Sequence, residues 1–266
     1  MRWIRCAAVA TLALTITACT TSPTGRQQFT LMSDAQLNQM GREAYDQYQQ
    51  DLPSAGQAQQ RYAQCVASAI ITVLPEQERN QDWQIHVFES EQANAFALPG
   101  GYMGVNTGLF DVAVSQDQLA AVIGHEVGHV LARHANERVS TQTSTQLALS
   151  VLSSAAGMRG PGGEQLMGAL GLGAQYGILL PFSRRHESEA DIIGLRLMAE
   201  AGFDPRASLE LWDNMSAQGG ARPPAWMSTH PSHGQRMQGL QAEMDNAMAR
   251  YEQARQAGRQ PNCPRP

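Results

Sequence analysis

One pentapeptide, His125-Glu126-Val127-Gly128-His129, constrains this chain more than any other stretch. Ser115 and Gln118 read as a capping box, and Leu119, Val122, Ile123, Val127 and Val130 repeat at helical spacing. A helix is therefore expected from about Ser115 to about Val139. On it, the i, i+4 spacing stacks both imidazoles on one face, one turn apart. Two such nitrogen donors can share one tetrahedral Zn²⁺ at about 2.0–2.1 Å each. Glu126 lies about 100° further round the helix. It can flank the ion and its water without being a ligand, and is the candidate catalytic base. The fold must hold this helix rigidly and bring a third ligand to it.

A third histidine six residues after His129 would complete the set on the same chain segment, but that position is Ala135. His134, five residues on, should point about 140° away on a continuous helix and is expected at the surface or in a cap. The best distant candidate is Glu187-Ser188-Glu189-Ala190-Asp191. Glu187 and Asp191 share a helix face at i, i+4. Glu187 can reach the metal while Asp191 accepts a hydrogen bond from a ligand imidazole, fixing its tautomer. The remaining histidines His86, His186 and His233 carry no strong claim.

All nineteen basic residues are Arg and none is Lys, against twenty-four acidic residues, for a net charge of -5. Without Lys there is no Schiff base and no Walker A or kinase-type lysine. The acidic balance argues against nucleic acid as a partner.

The rest of the chain reads mostly as helix. Helices are expected at 33–50, with Ser33 and Gln36 as a capping box, at 57–74, at 141–157, and at 186–201 before Gly202. Others follow Asp204-Pro205 to about Gln218 and span 235–257. Strands are expected at 83–88, 93–98 and 102–107, the last two joined by Pro99-Gly100-Gly101. Residues 157–163 read as a Gly/Pro loop and 221–231 as a Pro-rich loop. The uncharged stretch Gln165 to Phe182 is broken by four glycines, Gln175 and Pro181, which favours a buried or interfacial helix over a membrane span.

Residues 1–18 read as a signal peptide: Arg2 and Arg5, then an apolar stretch from Ala7 to Ile16. Its end, Ile16-Thr17-Ala18-Cys19, resembles the bacterial lipobox, which implies lipid on Cys19 and attachment to a membrane. Thr20 after the cysteine favours, by the same resemblance, the periplasmic face of the outer membrane. Residues 19–28 are expected as a polar tether. Cleavage before Cys19 would remove two arginines and move the net charge from -5 to -7. Cys65 and Cys263 remain, and an oxidising compartment would let them pair and clip the tail (258–266) to an early helix.

Four segments together resemble the gluzincin metallopeptidases that include HtpX and the CAAX prenyl endopeptidase, most closely their soluble, LoiP-like bacterial lipoprotein branch. These are 94–101 (Asn-Ala-Phe-Ala-Leu-Pro-Gly-Gly), 125–129, 183–191 (Ser-Arg-Arg-His-Glu-Ser-Glu-Ala-Asp), and Thr229-His230-Pro231 with Arg236. The chain departs from integral-membrane members at 141–182, where it is polar or Gly-broken. The resemblance implies an α+β, mostly α, single domain over 29–257. In it the motif helix packs on a small sheet of three to four strands. It implies one Zn²⁺ held by His125, His129 and Glu187, with His230 as a fourth ligand or an oxyanion contact. The strand Asn94, Ala95, Phe96, Ala97, Leu98 would bind extended peptide by its edge. The expected function is a zinc endopeptidase acting on misfolded or incompletely assembled envelope proteins, with outer-membrane assembly machinery as a partner. The alternative is an envelope assembly factor or chaperone whose protease site is latent and gated by His230.

Overall fold

A computed structural model of the chain describes residues 19–155, 182–218, 225–230 and 233–266. The expected loop at 157–163 and all but the last residue of the expected helix at 165–182 lie outside those residues. The fold is α+β and mostly helical, in a single domain, as the sequence implies.

The sheet has three strands, β3 (Gln84–Phe88), β4 (Ala95–Leu98) and β5 (Tyr102–Asn106), in the order β3-β5-β4. β5 is central, parallel to β3 and antiparallel to β4. The turn from β4 to β5 needs two residues at positive φ, and Gly100 (91°) and Gly101 (86°) supply them. Among the described residues β4 is thus an edge strand, with Ala95 to Leu98 paired to β5 alone.

Helix α1 (Asp34–Asp51) begins at the Ser33/Gln36 capping box. Helix α2 (Gln57–Thr72) lays Tyr62, Val66 and Ile70 against Val87, Met103 and Val105 of the sheet. The short α3 (Glu76–Arg79) follows Pro75. The motif helix α4 (Gln116–Leu131) adds Leu119, Val122 and Ile123 to the same core. Its capping box is only half formed: Ser115 accepts from Gln118 N, but the Gln118 side chain accepts from Val114 N, 2.8 Å away.

Four expectations are corrected. First, α4 stops at Leu131, and Arg133 takes a left-handed conformation (φ 52°) before α5 (His134–Ala155) starts in a new direction. Second, the expected tether is folded. Residues Cys19–Thr21 (β1) and Gln27–Phe29 (β2) form an antiparallel hairpin, with Cys19 opposite Phe29. Its turn is drawn in by a buried carboxylate: Ser22, Thr24 and Arg26 all donate to Glu189. Third, Ala225–Thr229 is a short helix, α8, not loop. It is anchored by Trp226 N donating to Ala93 O at 3.0 Å, just ahead of β4. Fourth, the helix after Asp204-Pro205 starts later, at Ala207.

The remaining helices are α6 (Arg184–Ala201), α7 (Ala207–Gln218) and α9 (His233–Gln256). Ser183 caps the start of α6, and Gly202, at φ 91°, ends it. Cys65 and Cys263 form a disulfide, with Cα atoms 5.7 Å apart. The tail then seats on the first turn of α4, where Gln116 bonds both Pro261 O and Cys263 N. No helix among the described residues is long and apolar enough to cross a membrane.

Candidate metal centre

The site exists because α4 and α6 cross at backbone distance. A Cβ built on Gly194 would lie 2.6 Å from His125 N, and one on Gly124 would lie 2.8 Å from Gly194 O. One on Gly128 would lie 2.9 Å from Ala190 O. Glycine at these points lets two helices approach closer than any side chain allows. The carboxylates of α6 then reach the imidazoles of α4.

His125, His129, Glu187 and His230 converge, each offering one ligand atom, all within 4.8 Å of one another and all buried. His125 Nε2 and His129 Nε2 are 3.0 Å apart. Glu187 Oε2 lies 3.5 Å from His125 Nε2, and Oε1 lies 3.6 Å from His129 Nε2. Ligands on a tetrahedral ion at 2.0–2.1 Å stand about 3.3 Å apart, so these spacings fit one metal ion. The chemistry fits as well. Both Glu187 oxygens and His230 Nε2 are buried with no hydrogen-bond partner among the described residues. Buried polar atoms are rarely left so, and a shared cation would satisfy all three.

Electrostatics favour that cation. Burial, then the neighbouring imidazoles His125, His134 and His230, hold His129 well below its usual range, so it is a neutral donor. Burial, then His125 and Arg236, do the same for His230. For His125, burial and Arg236 oppose positive charge, but Asp191 and Glu187 outweigh them and raise it to about 9. The carboxylates thus favour positive charge where the ligand atoms meet.

Each ligand is fixed from behind. His125 Nδ1 lies 2.9 Å from Asp191 Oδ1. Arg236 on α9 grips Asp191 with both Nε (2.7 Å) and Nη2 (2.6 Å), and its Nη1 donates to His230 O at 3.0 Å. Nη1 is also 2.9 Å from Glu187 Oε2, an ion pair without hydrogen-bond alignment. The guanidinium is buried and stacked over Trp212, 4.5 Å from the ring centre. Burial raises Asp191, yet Arg236 and His125 hold it well below the carboxylate range. Glu126 accepts from Trp226 Nε1 at 2.8 Å, and its Oε1 is 3.5 Å from His230 Nε2. Burial lifts Glu126 to about 7, against the pull of His125 and the Trp226 bond.

The structure brings together His125, Glu126, His129, Glu187, Asp191 and His230. Asn94 to Leu98 form the neighbouring edge, with Ala97 and Pro99 lining a cleft of about 300 Å³ that reaches His129. Cys19 stands apart, in the hairpin. Sequence reasoning missed four functional contacts. Trp226 sits in a stretch whose prolines read as loop. Arg236 was visible only as a match in a motif. His134 is fully buried, with Nδ1 2.9 Å from His129 Nδ1, instead of at the surface. Glu189, behind His134, is held well below the carboxylate range: burial opposes its charge, but bonds from His134, Ser22, Thr24 and Arg26 prevail. The signal for His134 was unreadable, because extrapolating the helix through Arg133 turns it the wrong way.

Residues 57–244 match the profile of Peptidase family M48. The chain is similar to the mitochondrial metalloendopeptidase OMA1 of Schizosaccharomyces pombe, 36% identical over 172 residues, covering 64% of this chain and 49% of that protein. It is similar to the mitochondrial metalloendopeptidase OMA1 of Bos taurus, 32% identical over 240 residues, covering 84% and 44%. The beta-barrel assembly-enhancing protease of Escherichia coli strain K12 is 31% identical over 157 residues, covering 54% and 31%. The chain spans half or less of the length of these relatives. They support the family and not its lipoprotein branch. The expected address, lipid-anchored at the periplasmic face of the outer membrane, is corrected: relatives 36% and 38% identical to this chain are named mitochondrial.

Proposed function

The chain belongs to peptidase family M48, and on that premise we propose that it is a zinc-dependent endopeptidase. Its substrates are misfolded or incompletely assembled proteins. The observation that carries the reading is the buried, convergent group His125, His129, Glu187 and His230 beside Glu126. His125, His129 and Glu187 would hold the ion. Zinc bound there supplies Lewis acidity towards a carbonyl oxygen and towards water. Glu126, steadied by Trp226, takes the proton of the attacking water and returns it to the departing amine. Asp191, clamped by Arg236, keeps His125 in the tautomer that presents Nε2. An extended peptide adds by its backbone to the edge of β4 that the described residues leave unpaired, which tolerates varied side chains and suits unfolded substrates.

The test is Glu126→Gln. It keeps the shape of the side chain and removes the base. Cleavage of an unfolded protein should fall by about 10²–10⁴-fold, with one zinc still bound per chain. Undiminished cleavage would refute the assignment.

A second reading is favoured by one observation. His230 Nε2 lies within the ligand group and has no hydrogen-bond partner among the described residues. As a fourth ligand it would occupy the position that water needs, leaving the protease latent and the protein acting mainly as an assembly factor or chaperone. In that case His230→Ala would cleave faster than the parent protein. If His230 instead steadies the oxyanion, the same variant would be slower.

A further inference from the structure

The two histidines of the motif are supported differently. His125 meets a carboxylate directly through Asp191. His129 meets another histidine. His134 Nδ1 is 2.9 Å from His129 Nδ1, and His134 Nε2 is 3.1 Å from Glu189 Oε2. Glu189 in turn accepts from Ser22, Thr24 and Arg26 of the N-terminal hairpin. One assignment of protons satisfies the whole chain of contacts. If His129 offers Nε2 as a ligand, its Nδ1–H donates to His134 Nδ1. That leaves the proton of His134 on Nε2, where it donates to Glu189. No other tautomer of His134 satisfies both neighbours.

The backbone is arranged for this contact. On a continuous helix, residue 134 would point about 140° away from residue 129. The left-handed turn at Arg133 (φ 52°) brings the ring of His134 back against His129, with ring centres 4.9 Å apart. A non-glycine residue in that conformation costs about 1 kcal/mol, and here the cost is borne next to the motif. Glu189, two residues from Glu187 on α6, points to the other side of that helix and, among the described residues, reaches the site through His134. Arg26 secures the outer end, with Nη1 and Nη2 in a fork on Glu137 (2.8 and 2.7 Å) and Nε on Glu189 (2.7 Å).

We propose that His134 and Glu189 are positioning residues for the metal ligand His129, and that the hairpin of residues 19–29 belongs to the metal centre by holding Glu189. The proposal rests on the zinc peptidase reading. The hairpin contributes no ligand, but it fixes the carboxylate that orients and strengthens one. Chain ahead of the metal-binding motifs thereby tunes how tightly the site binds its ion.

The experiment measures zinc affinity by competition with a chromophoric chelator, and the melting temperature of each protein stripped of metal. The variants run outward along the relay: His134→Leu, Glu189→Gln and Arg26→Gln. Glu189→Gln keeps the volume, removes the charge and sets an amide donor against the hairpin's donors. Zinc binding should weaken about 10–100-fold in His134→Leu and Glu189→Gln, and less in Arg26→Gln, which is one step further out. If His134→Leu does not fold, Glu189→Gln and Arg26→Gln still decide. Wild-type zinc affinity in the folded variants, even with a lowered melting temperature, would mean a purely structural network and overturn the proposal. If the parent protein binds no zinc, the metallopeptidase reading falls, and the proposal with it. If the parent binds zinc and the variants match it, only the proposal falls.

Discussion

Gly194→Ala tests the helix crossing on which the site depends. A Cβ at 194 would stand 2.6 Å from His125 N, 2.7 Å from Gly124 C and 2.8 Å from His125 Cα. Ordinary contact begins at about 3.4 Å, so α4 and α6 must part by roughly 0.8 Å. All three atoms are backbone in a helix interior, so no side-chain rotation can relieve the clash. The same shift acts on the ligands. It stretches the 2.9 Å bond from His125 to Asp191 to about 3.7 Å, beyond hydrogen-bonding range. It also draws Glu187 away from both imidazoles. Overpacking a tight interior costs about 1–3 kcal/mol, while replacing a helical glycine by alanine returns about 1 kcal/mol. The net is a loss of up to about 2 kcal/mol, or a fall in melting temperature of up to about 8 °C for a chain this long. Zinc affinity should fall at least about tenfold, since the outer contacts of His125 are lost. Gly239→Ala is the control. Gly239 lies inside α9, and a Cβ there meets nothing within 4 Å, so only the gain of about 1 kcal/mol should appear. Calorimetry and chelator competition on both variants read the outcome. Gly194→Ala with the stability gain of Gly239→Ala and unchanged zinc affinity would refute the close-crossing argument.

Other outcomes follow from the same geometry. Trp226→Phe keeps a ring beside His230 but deletes the bond from Nε1 to Glu126; turnover should drop about tenfold with zinc retained, as read by steady-state cleavage and metal analysis. Arg236→Met leaves Asp191 and Glu187 buried without their partner, and chemical denaturation should report a loss of about 3–5 kcal/mol. Arg133→Gly relieves a left-handed residue at a helix end while giving up a largely exposed pair with Asp34; since exposed pairs contribute little, a gain of about 0.5–1 kcal/mol is expected in thermal melts. Replacing Cys65 and Cys263 together by alanine opens a loop of 198 residues, and stability should fall by about 2–5 kcal/mol.

Local rules made much of this protein legible from its sequence. Residues four apart on a helix share a face whatever surrounds them, so His125 with His129, and Glu187 with Asp191, were readable as pairs. Turn glycines, the Ser33 cap and Pro75 act within a few residues, and the elements they delimit fell close to expectation. What sequence could not reveal is how separate segments meet. Gly128 and Gly194 look like ordinary weak helix formers until the crossing of α4 and α6 explains them. Trp226 reads as part of a proline-rich loop until α8 sets its indole on Glu126. The residues from Cys19 to Phe29 are too polar to suggest a folded element, because no core of their own holds them. They fold because Glu189 is buried and needs their donors. His134 is the sharpest case. One left-handed residue reverses its direction, and nothing in the identity of Arg133 announces that turn. The sequence determined which groups could hold a metal ion. Tertiary structure alone decided which neighbours orient them, because those neighbours arrive from segments a hundred or more residues away.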